Sequence, residues 1–119
     1  GHVTHEIIEA LKGVRHVILE SNHDLEMLKI GPYPWSLKKR IMSNKGHLSN
    51  DDAGDCVLQL AEHCSPCIYL AHLSKDNNVP ELAYLTIKNV IEEKGLSLDS
   101  DIRLEHTYRN RPTQLFKAV

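Results

Sequence analysis

The sequence lacks a long apolar run and a charge excess of either sign, and each absence excludes a class of protein. No apolar run approaches the ~20 residues that cross a membrane, so a membrane protein is not expected. Lysine and arginine number 14 against 16 aspartates and glutamates, so a broad electrostatic grip on nucleic acid is not predicted. The polar, amphipathic N-terminal residues do not resemble a secretory signal.

Cysteine is scarce and odd in number, which favours a reduced, cytoplasmic setting over a secreted disulfide framework. Cys64 and Cys67 form the C-x-x-C stretch "CSPC", a spacing that marks some redox and zinc sites. Here Cys64 ends a predicted helix, where the dipole disfavours a thiolate, and only His63 stands nearby as a further ligand. We interpret the pair as small buried residues; a redox or zinc module is one alternative.

What the sequence does contain is an alternation of helix and strand patterns in a chain long enough for one domain. Strands are predicted at 16–20 and 67–73, where apolar residues run without interruption. The last segment, from about 102, is predicted as two strands joined by a turn near 110–112. Helices are predicted at 4–12, at about 36–43, from the Ser49 cap to Cys64, and from Pro80 to Lys94. This order predicts a layered α/β fold.

Three polar stretches stand where predicted strands end or a helix begins: "ILESNHD", "NKGHLSN" and "YLAHLSKDNN". Glu20 and His72 follow the two apolar strands, and the carboxyl ends of parallel strands meet at one edge of a sheet. His47 precedes a helix N-terminus, where backbone amides attract an anion. The three residues are therefore predicted to converge on a phosphate-like ligand.

Each of these residues also has a simpler interpretation. His72 is either a zinc or manganese ligand or a strand-end histidine bonded to a carbonyl group. His47 is either a general acid or phosphate binder, or an ordinary loop residue. Glu20 either orients a histidine or forms a surface ion pair. For His23 and Asp24 a turn is a sufficient explanation.

Two short basic stretches, "SLKKR" at 36–40 and "YRNR" at 108–111, leave local contacts with nucleic acid open. Stretches of this kind are more often solvated surface, and that is the interpretation adopted for both.

Taken together, "LESNHDLEMLKIGPYPWSLKKRIMSNKGHLSNDDA" and "LAHLSKDNNVPELA" resemble the C-terminal half of the WalJ (YycJ)-type metallo-β-lactamase-fold hydrolases, and more distantly ribonuclease Z. The resemblance covers nearly the whole chain. It implies that residues 1–119 form a single partial domain, one half of an αββα sandwich. That half would contain a mixed sheet with flanking helices and a C-terminal β-hairpin.

The resemblance also implies roles for the three predicted site residues. By position in the motifs, His72 matches the last metal-ligand histidine of the family. His47 matches the histidine that faces the scissile phosphate, and Glu20 matches the glutamate that orients it. We therefore expect His47 and Glu20 to be catalytic residues and His72 to be a metal ligand. Three further motif residues carry no assigned role: Asn22, Ser49 and Asn77.

The family's main metal signature, H-x-H-x-D-H, does not occur in this sequence. One imidazole does not hold a catalytic zinc, which normally takes three protein ligands. The resemblance thus implies a complete protein that uses two divalent metals, zinc or manganese, to hydrolyse phosphodiester bonds in nucleic acid. The isolated chain is expected to bind no metal tightly and to be inactive. The alternative is a non-catalytic interaction or regulatory module that has lost the metal site.

A half sandwich also predicts a partner. Because the strands at 16–20 and 67–71 are apolar on both sides, they are expected to be covered on both faces. An uncovered inner face would drive association, either with the missing N-terminal half or with a second copy in a homodimer.

Overall fold

The computed structural model describes residues 1–43 and 46–112. Within these ranges the chain forms five helices and three strands. The helices are α1 (His5–Ala10), α2 (Leu25–Ile30), α3 (Trp35–Met42), α4 (Asn50–Ala61) and α5 (Pro80–Glu93); the strands are β1 (His16–Glu20), β2 (Cys67–Ala71) and β3 (Arg103–His106). None of the helices in the described ranges is long and apolar enough to cross a membrane.

The three strands form one sheet in the order β1-β2-β3, and both neighbouring pairs are parallel. Val17 lies opposite Ile68, and Ile68 lies opposite Leu104, so these three side chains share one face. The predicted α/β class is confirmed. The second strand of the predicted hairpin, which would make the sheet mixed, falls on residues 113–119 and lies outside the described residues.

The core lies between one face of the sheet and the helices α4 and α5. It contains strand residues and helix residues that are all buried: Val17, Leu19, Ile68, Leu70, Leu104, Ala53, Val57, Leu60, Ala83, Ile87 and Ile91. Full burial of an isoleucine or leucine side chain contributes roughly 1.5–3 kcal/mol. Because α4 and α5 both pack on this face, the residues that precede each helix are held at the carboxyl edge of the sheet.

The opposite face of β1 is open, so the described residues do not supply the predicted cover on both faces of this strand, and cover by a partner stays a prediction. The burial of β1 alternates, and Ile18 in its middle is 73% exposed. The prediction holds for the central strand β2, where the four residues from Cys67 to Leu70 are buried. Cover of the second face of β1 depends on an additional layer, and the described residues do not cover Ile18.

The capping residues in the sequence predicted most helix starts correctly, but one helix was not predicted. Thr4 caps α1, and the hydroxyl of Ser49 accepts from the amide of Asp52 at the start of α4, both as predicted. The helix α2 was not predicted. Its signal was present, because the Asp24 carboxylate accepts from the amide of Met27 at 3.0 Å and caps this short helix.

Candidate functional site

The structure brings the three sequence-predicted site residues together at the carboxyl edge of the sheet. Oε2 of Glu20 accepts from Nδ1 of His47 at 2.9 Å and also from Nδ1 of His72. The two imidazole centroids lie 5.2 Å apart. Because an ionised carboxylate only accepts, both rings carry a proton on Nδ1, and in the neutral form of such a ring Nε2 has a free lone pair. Two imidazoles are thus held in one tautomer by one carboxylate.

Glu20 is ionised in this arrangement. Burial by itself would raise the pKa of its carboxyl group. The amide of Leu48, which donates to Oε1 at 2.7 Å, and the two imidazoles outweigh burial and hold the pKa below its usual value. The carboxylate therefore keeps its charge well below neutral pH, and it remains an acceptor for both histidines.

His47 is positioned by backbone hydrogen bonds that link it and Gly46 to the C-terminal end of α3. Its amide donates to the carbonyl group of Ile41 at 3.0 Å, and the amide of Gly46 donates to Ser43 at 3.0 Å. A Cβ atom on Gly46 would lie 2.1 Å from the carbonyl oxygen of Ile41, so no larger residue fits without moving the backbone. Because residue 46 is glycine, the backbone just before His47 can lie in close contact with the C-terminal end of α3.

His72 follows β2 with a backbone φ of 60°, the left-handed region that L residues seldom occupy. The amide side chain of Asn22 donates to the carbonyl oxygen of His72 at 2.8 Å, and the carbonyl group of Asn22 accepts from the amide of Ser74 at 2.7 Å. Asn22 therefore spans the strand exit and holds His72 in this conformation. Such backbone strain of about 1–3 kcal/mol is found most often at functional sites.

A buried set of amide side chains fastens the site to the helices α4 and α5. The Ser21 hydroxyl donates to Oδ1 of Asn50 at 2.6 Å, and Nδ2 of Asn50 donates to Oδ1 of Asn78 at 2.9 Å. Nδ2 of Asn78 returns to the carbonyl oxygen of Ser21 at 2.9 Å. The sequence reasoning missed these three residues. The available signal was the polar residues beside each motif, namely "SN", "SNDD" and "DNN".

The remaining motif residues have structural roles. His23 is buried, and burial lowers the pKa of its imidazole. The backbone carbonyl of Asn77 accepts from the amide of Asp24 at 2.9 Å, while its buried Oδ1 has no hydrogen-bond partner in the part of the chain that the structure describes. These contacts connect the exits of β1 and β2.

The cysteines lie away from this edge and are all free. Cys67 is buried in β2, as predicted, whereas Cys64 is only half-buried, so that prediction is wrong for Cys64. Cys64 comes after the end of α4, beyond the residues that pack against the sheet. Burial raises the pKa of the Cys56 thiol to about 11, which opposes the thiolate that redox chemistry needs.

The donor set of the site suits a divalent metal ion. Within residues 1–43 and 46–112, one group of histidine, cysteine and carboxylate side chains has its ligand atoms close enough to hold an ion. It consists of Glu20, His47 and His72, whose ligand atoms all lie within 4.8 Å of one another. The chain therefore offers two imidazoles and a carboxylate where the sequence predicted one metal-ligand imidazole. An ion at this place would be held either by all three side chains directly, or by Nε2 of each ring with Glu20 orienting the rings.

A cavity of about 880 Å³ opens at the histidine pair. His47 and His72 line it together with Tyr33, Asn77 and Arg109. It therefore offers room for a polar ligand beside the two imidazoles.

The chain is similar to curated exodeoxyribonucleases. It is 41% identical over 115 residues to exodeoxyribonuclease YycJ of Bacillus anthracis, a match that covers 97% of this chain and 44% of the relative. It is 36% identical over 115 residues to exodeoxyribonuclease WalJ of Streptococcus pneumoniae, covering 97% of this chain and 43% of the relative. The chain thus spans less than half the length of these relatives.

These matches confirm the predicted resemblance to WalJ (YycJ)-type proteins. No protein-family model matches the chain, and no solved structure matches it either. The names of the relatives give no support to the alternative of a non-catalytic module.

Proposed function

Because the chain is related in sequence to the YycJ and WalJ exodeoxyribonucleases, we propose that it supplies part of a metal-dependent site that hydrolyses phosphodiester bonds in DNA. The observation that carries this proposal is the bonding of both imidazoles, His47 and His72, to the single carboxylate of Glu20. A purely structural ion pair would need only one partner for the Glu20 carboxylate. Here that carboxylate orients two imidazole rings beside a cavity, which is an arrangement that suits metal ligands.

The proposed fold of the complete protein is an αββα sandwich of which this chain is one half. The packing of α4 and α5 on one face of the sheet supports this, as does the open face around Ile18. In a sandwich, a second sheet would cover Ile18, and the carboxyl edge with Glu20 would lie at the border between the halves.

In the proposed reaction Glu20 keeps the Nδ1–H of both rings in place, so that Nε2 of His72 is available as a metal ligand. His72 would help to hold a zinc or manganese ion, whose chemistry would be to activate water for attack and to stabilise charge on the phosphoryl oxygens. Nε2 of His47, when protonated, donates its proton to the leaving oxygen, and the charge of Glu20 stabilises the resulting cationic ring. These are the roles predicted for the three residues.

The chain by itself is proposed to be inactive and to hold metal weakly. It carries two imidazoles and one carboxylate, and Glu20 is shared between both rings. The relatives are more than twice as long as the matched segment, which leaves room for further ligands.

The activity test is a chimera in which this chain replaces the matching segment of the Bacillus anthracis relative. We expect the chimera to release nucleotides from DNA when Mn²⁺ or Zn²⁺ is supplied, and to stop when the metal is chelated. His72→Ala and Glu20→Gln are each expected to lower the rate about 100-fold or more. The matched control, His63→Ala, removes an exposed histidine beyond α4 and is expected to leave the rate unchanged.

Binding is measured separately on the chain itself. We expect Mn²⁺ to broaden the imidazole NMR signals of His47 and His72 more strongly than those of His63. Equal broadening of all histidines, or a chimera that is fully active after His72→Ala, would rule out the proposed site.

A further inference from the structure

The segment after β3 lies at the same sheet edge as the three site residues but takes no part in the proposed chemistry. Both the amide and the hydroxyl of Thr107 donate to the carbonyl oxygen of Leu70 at 2.9 Å. The guanidinium of Arg109 donates to the carbonyl oxygen of Leu73, the residue that follows His72. The basic stretch "YRNR" is therefore fixed beside the histidine pair.

Two cavities meet at Tyr108 in this segment. The first is the cavity of about 880 Å³ that His47 and His72 line, and Tyr108 and Arg109 also line it. The second, of about 580 Å³, is lined by Lys88 and Arg111. Pro80 and Tyr108 line both, so the two cavities adjoin at these residues, and we refer to the two together as the path.

The groups along this path suit a single strand of nucleic acid. The Tyr108 side chain is exposed, and the guanidinium carbon of Arg111 lies 4.0 Å from the centroid of its ring. Exposed aromatic rings stack on bases, and neighbouring cationic groups attract the phosphates. Three cations line the path, Arg109, Arg111 and Lys88, and Glu81 lines the second cavity beside them. A duplex keeps its base faces stacked, so a ring can stack only on an unpaired base.

We propose that Tyr108 is a stacking site for a nucleobase, and that Arg109, Arg111 and Lys88 hold the phosphates of a single DNA strand that leads away from the histidine pair. This inference rests on the proposed function, since that function makes DNA the ligand of the path. It assigns the basic stretch at 108–111 to substrate binding, which the balanced charge of the whole chain does not reveal.

The test measures binding without chemistry. A fluorescein-labelled oligothymidylate of about 12 nucleotides is titrated with the chain in EDTA at low salt, and the fluorescence anisotropy gives Kd. We expect Tyr108→Ala and Tyr108→Leu each to weaken binding about tenfold, and Tyr108→Phe to retain it, because phenylalanine keeps the aromatic face. The control, Trp35→Ala, removes an exposed aromatic ring that lines neither cavity and is expected to leave Kd unchanged.

The phosphate contacts are tested by the salt dependence of Kd. Arg111→Ala is expected to reduce the slope of log K against log salt by about 0.7, the value for one phosphate of a single strand. Arg40→Ala, which removes an exposed arginine of α3 that lines neither cavity, is expected to leave the slope unchanged. Equal losses in Arg40→Ala and Arg111→Ala, or in Trp35→Ala and Tyr108→Leu, would overturn the path.

The outcome is separable from that of the proposed function. If Tyr108→Leu binds normally while the chimera remains metal-dependent, the path is wrong and the proposed function stands. If Tyr108→Leu binds tenfold more weakly while no variant of the chimera hydrolyses DNA, the path stands and the proposed chemistry is wrong.

Discussion

At the scale of single residues, Glu20 makes more side-chain hydrogen bonds at the site than either histidine. One carboxylate oxygen serves both imidazoles, and the other accepts from the amide of Leu48. A change at this position therefore disturbs the two rings and the entry to α4 at once. This makes Glu20 the residue at which stability and the proposed chemistry are most closely coupled.

The contribution of Glu20 to stability is expected to depend on pH. Its pKa in the folded chain lies below the usual value, so its contribution is present above the pKa of an unfolded glutamate, about 4.3, and is lost as the pH falls through the lower folded pKa. Glu20→Gln is expected to lower the free energy of unfolding by about 1–2 kcal/mol at pH 7. Urea unfolding of both chains from pH 7 to pH 3 measures the difference.

The difference between the two chains is expected to shrink as the solution becomes acidic. A difference that stays constant down to pH 3 would show that the charge of Glu20 contributes nothing to folding. A larger difference at pH 3 than at pH 7 would give its pKa shift the opposite sign.

The positions of Glu20, His47 and His72 could be predicted because each stands at a boundary that the sequence marks. Apolar runs end at Glu20 and just before His72, and His47 precedes the Ser49 cap. The contacts of Asn50 with Ser21 and Asn78 could not be predicted, since they join residues that are 28 or 29 positions apart through buried side chains. No local period in a sequence reports such contacts.

At the scale of elements, α2 and α3 are joined by a buried lysine. The Lys38 side chain, only 7% exposed, donates from Nζ to the carbonyl oxygens of Lys29 and Gly31 at 2.6 and 2.7 Å. It thereby satisfies carbonyl groups at the C-terminal end of α2. No local pattern of residues indicates this contact, because Lys38 stands in the basic stretch "SLKKR". The interpretation of that stretch as solvated surface is wrong for Lys38.

Lys38→Met is expected to destabilise the chain by about 1–3 kcal/mol, because it leaves two carbonyl groups without their donor while it keeps the apolar part of the side chain. The adjacent Lys39 is exposed and provides the matched control. Lys39→Met is expected to change the free energy of unfolding by less than about 0.5 kcal/mol. Urea denaturation of the two variants makes the comparison, and equal effects would contradict the capping role of Lys38.

The helix α2 shows why element prediction stopped short at this point. Its six residues are too few for an apolar stripe to repeat, so the periodicity that revealed α4 and α5 has no counterpart there. Its stability comes from the Asp24 cap at one end and from Lys38 at the other. Both are contacts that a pattern of apolar residues does not contain.

At the scale of the whole molecule, the two faces of the sheet differ in what covers them. One face is buried beneath α4 and α5, while Ile18 on the other is 73% exposed. Beside it the same face carries Tyr69, which is buried, and Glu105, which is half-buried. The sequence predicted an apolar surface spread over two strands. The apolar surface that this face exposes is instead centred on one side chain, Ile18.

A face of this kind is expected to support weak self-association, with two copies packed sheet against sheet. A large apolar patch would drive tight dimerisation, whereas Ile18 beside the polar side chain of Glu105 supplies only part of such a patch. Sedimentation equilibrium is expected to show dimers only at high protein concentration. Ile18→Glu is expected to abolish them, because association would then bury an unpaired carboxylate.

The control for this prediction is Ile30→Glu, which places the same charge at an equally exposed isoleucine at the end of α2. If association depends on the open sheet face, Ile30→Glu associates like the unchanged chain and Ile18→Glu does not. If both variants remain monomeric, or if the unchanged chain is a monomer at every concentration, Ile18 does not mediate pairing. The open face would then need the second sheet of a complete sandwich, and a second copy of this half would not substitute for it.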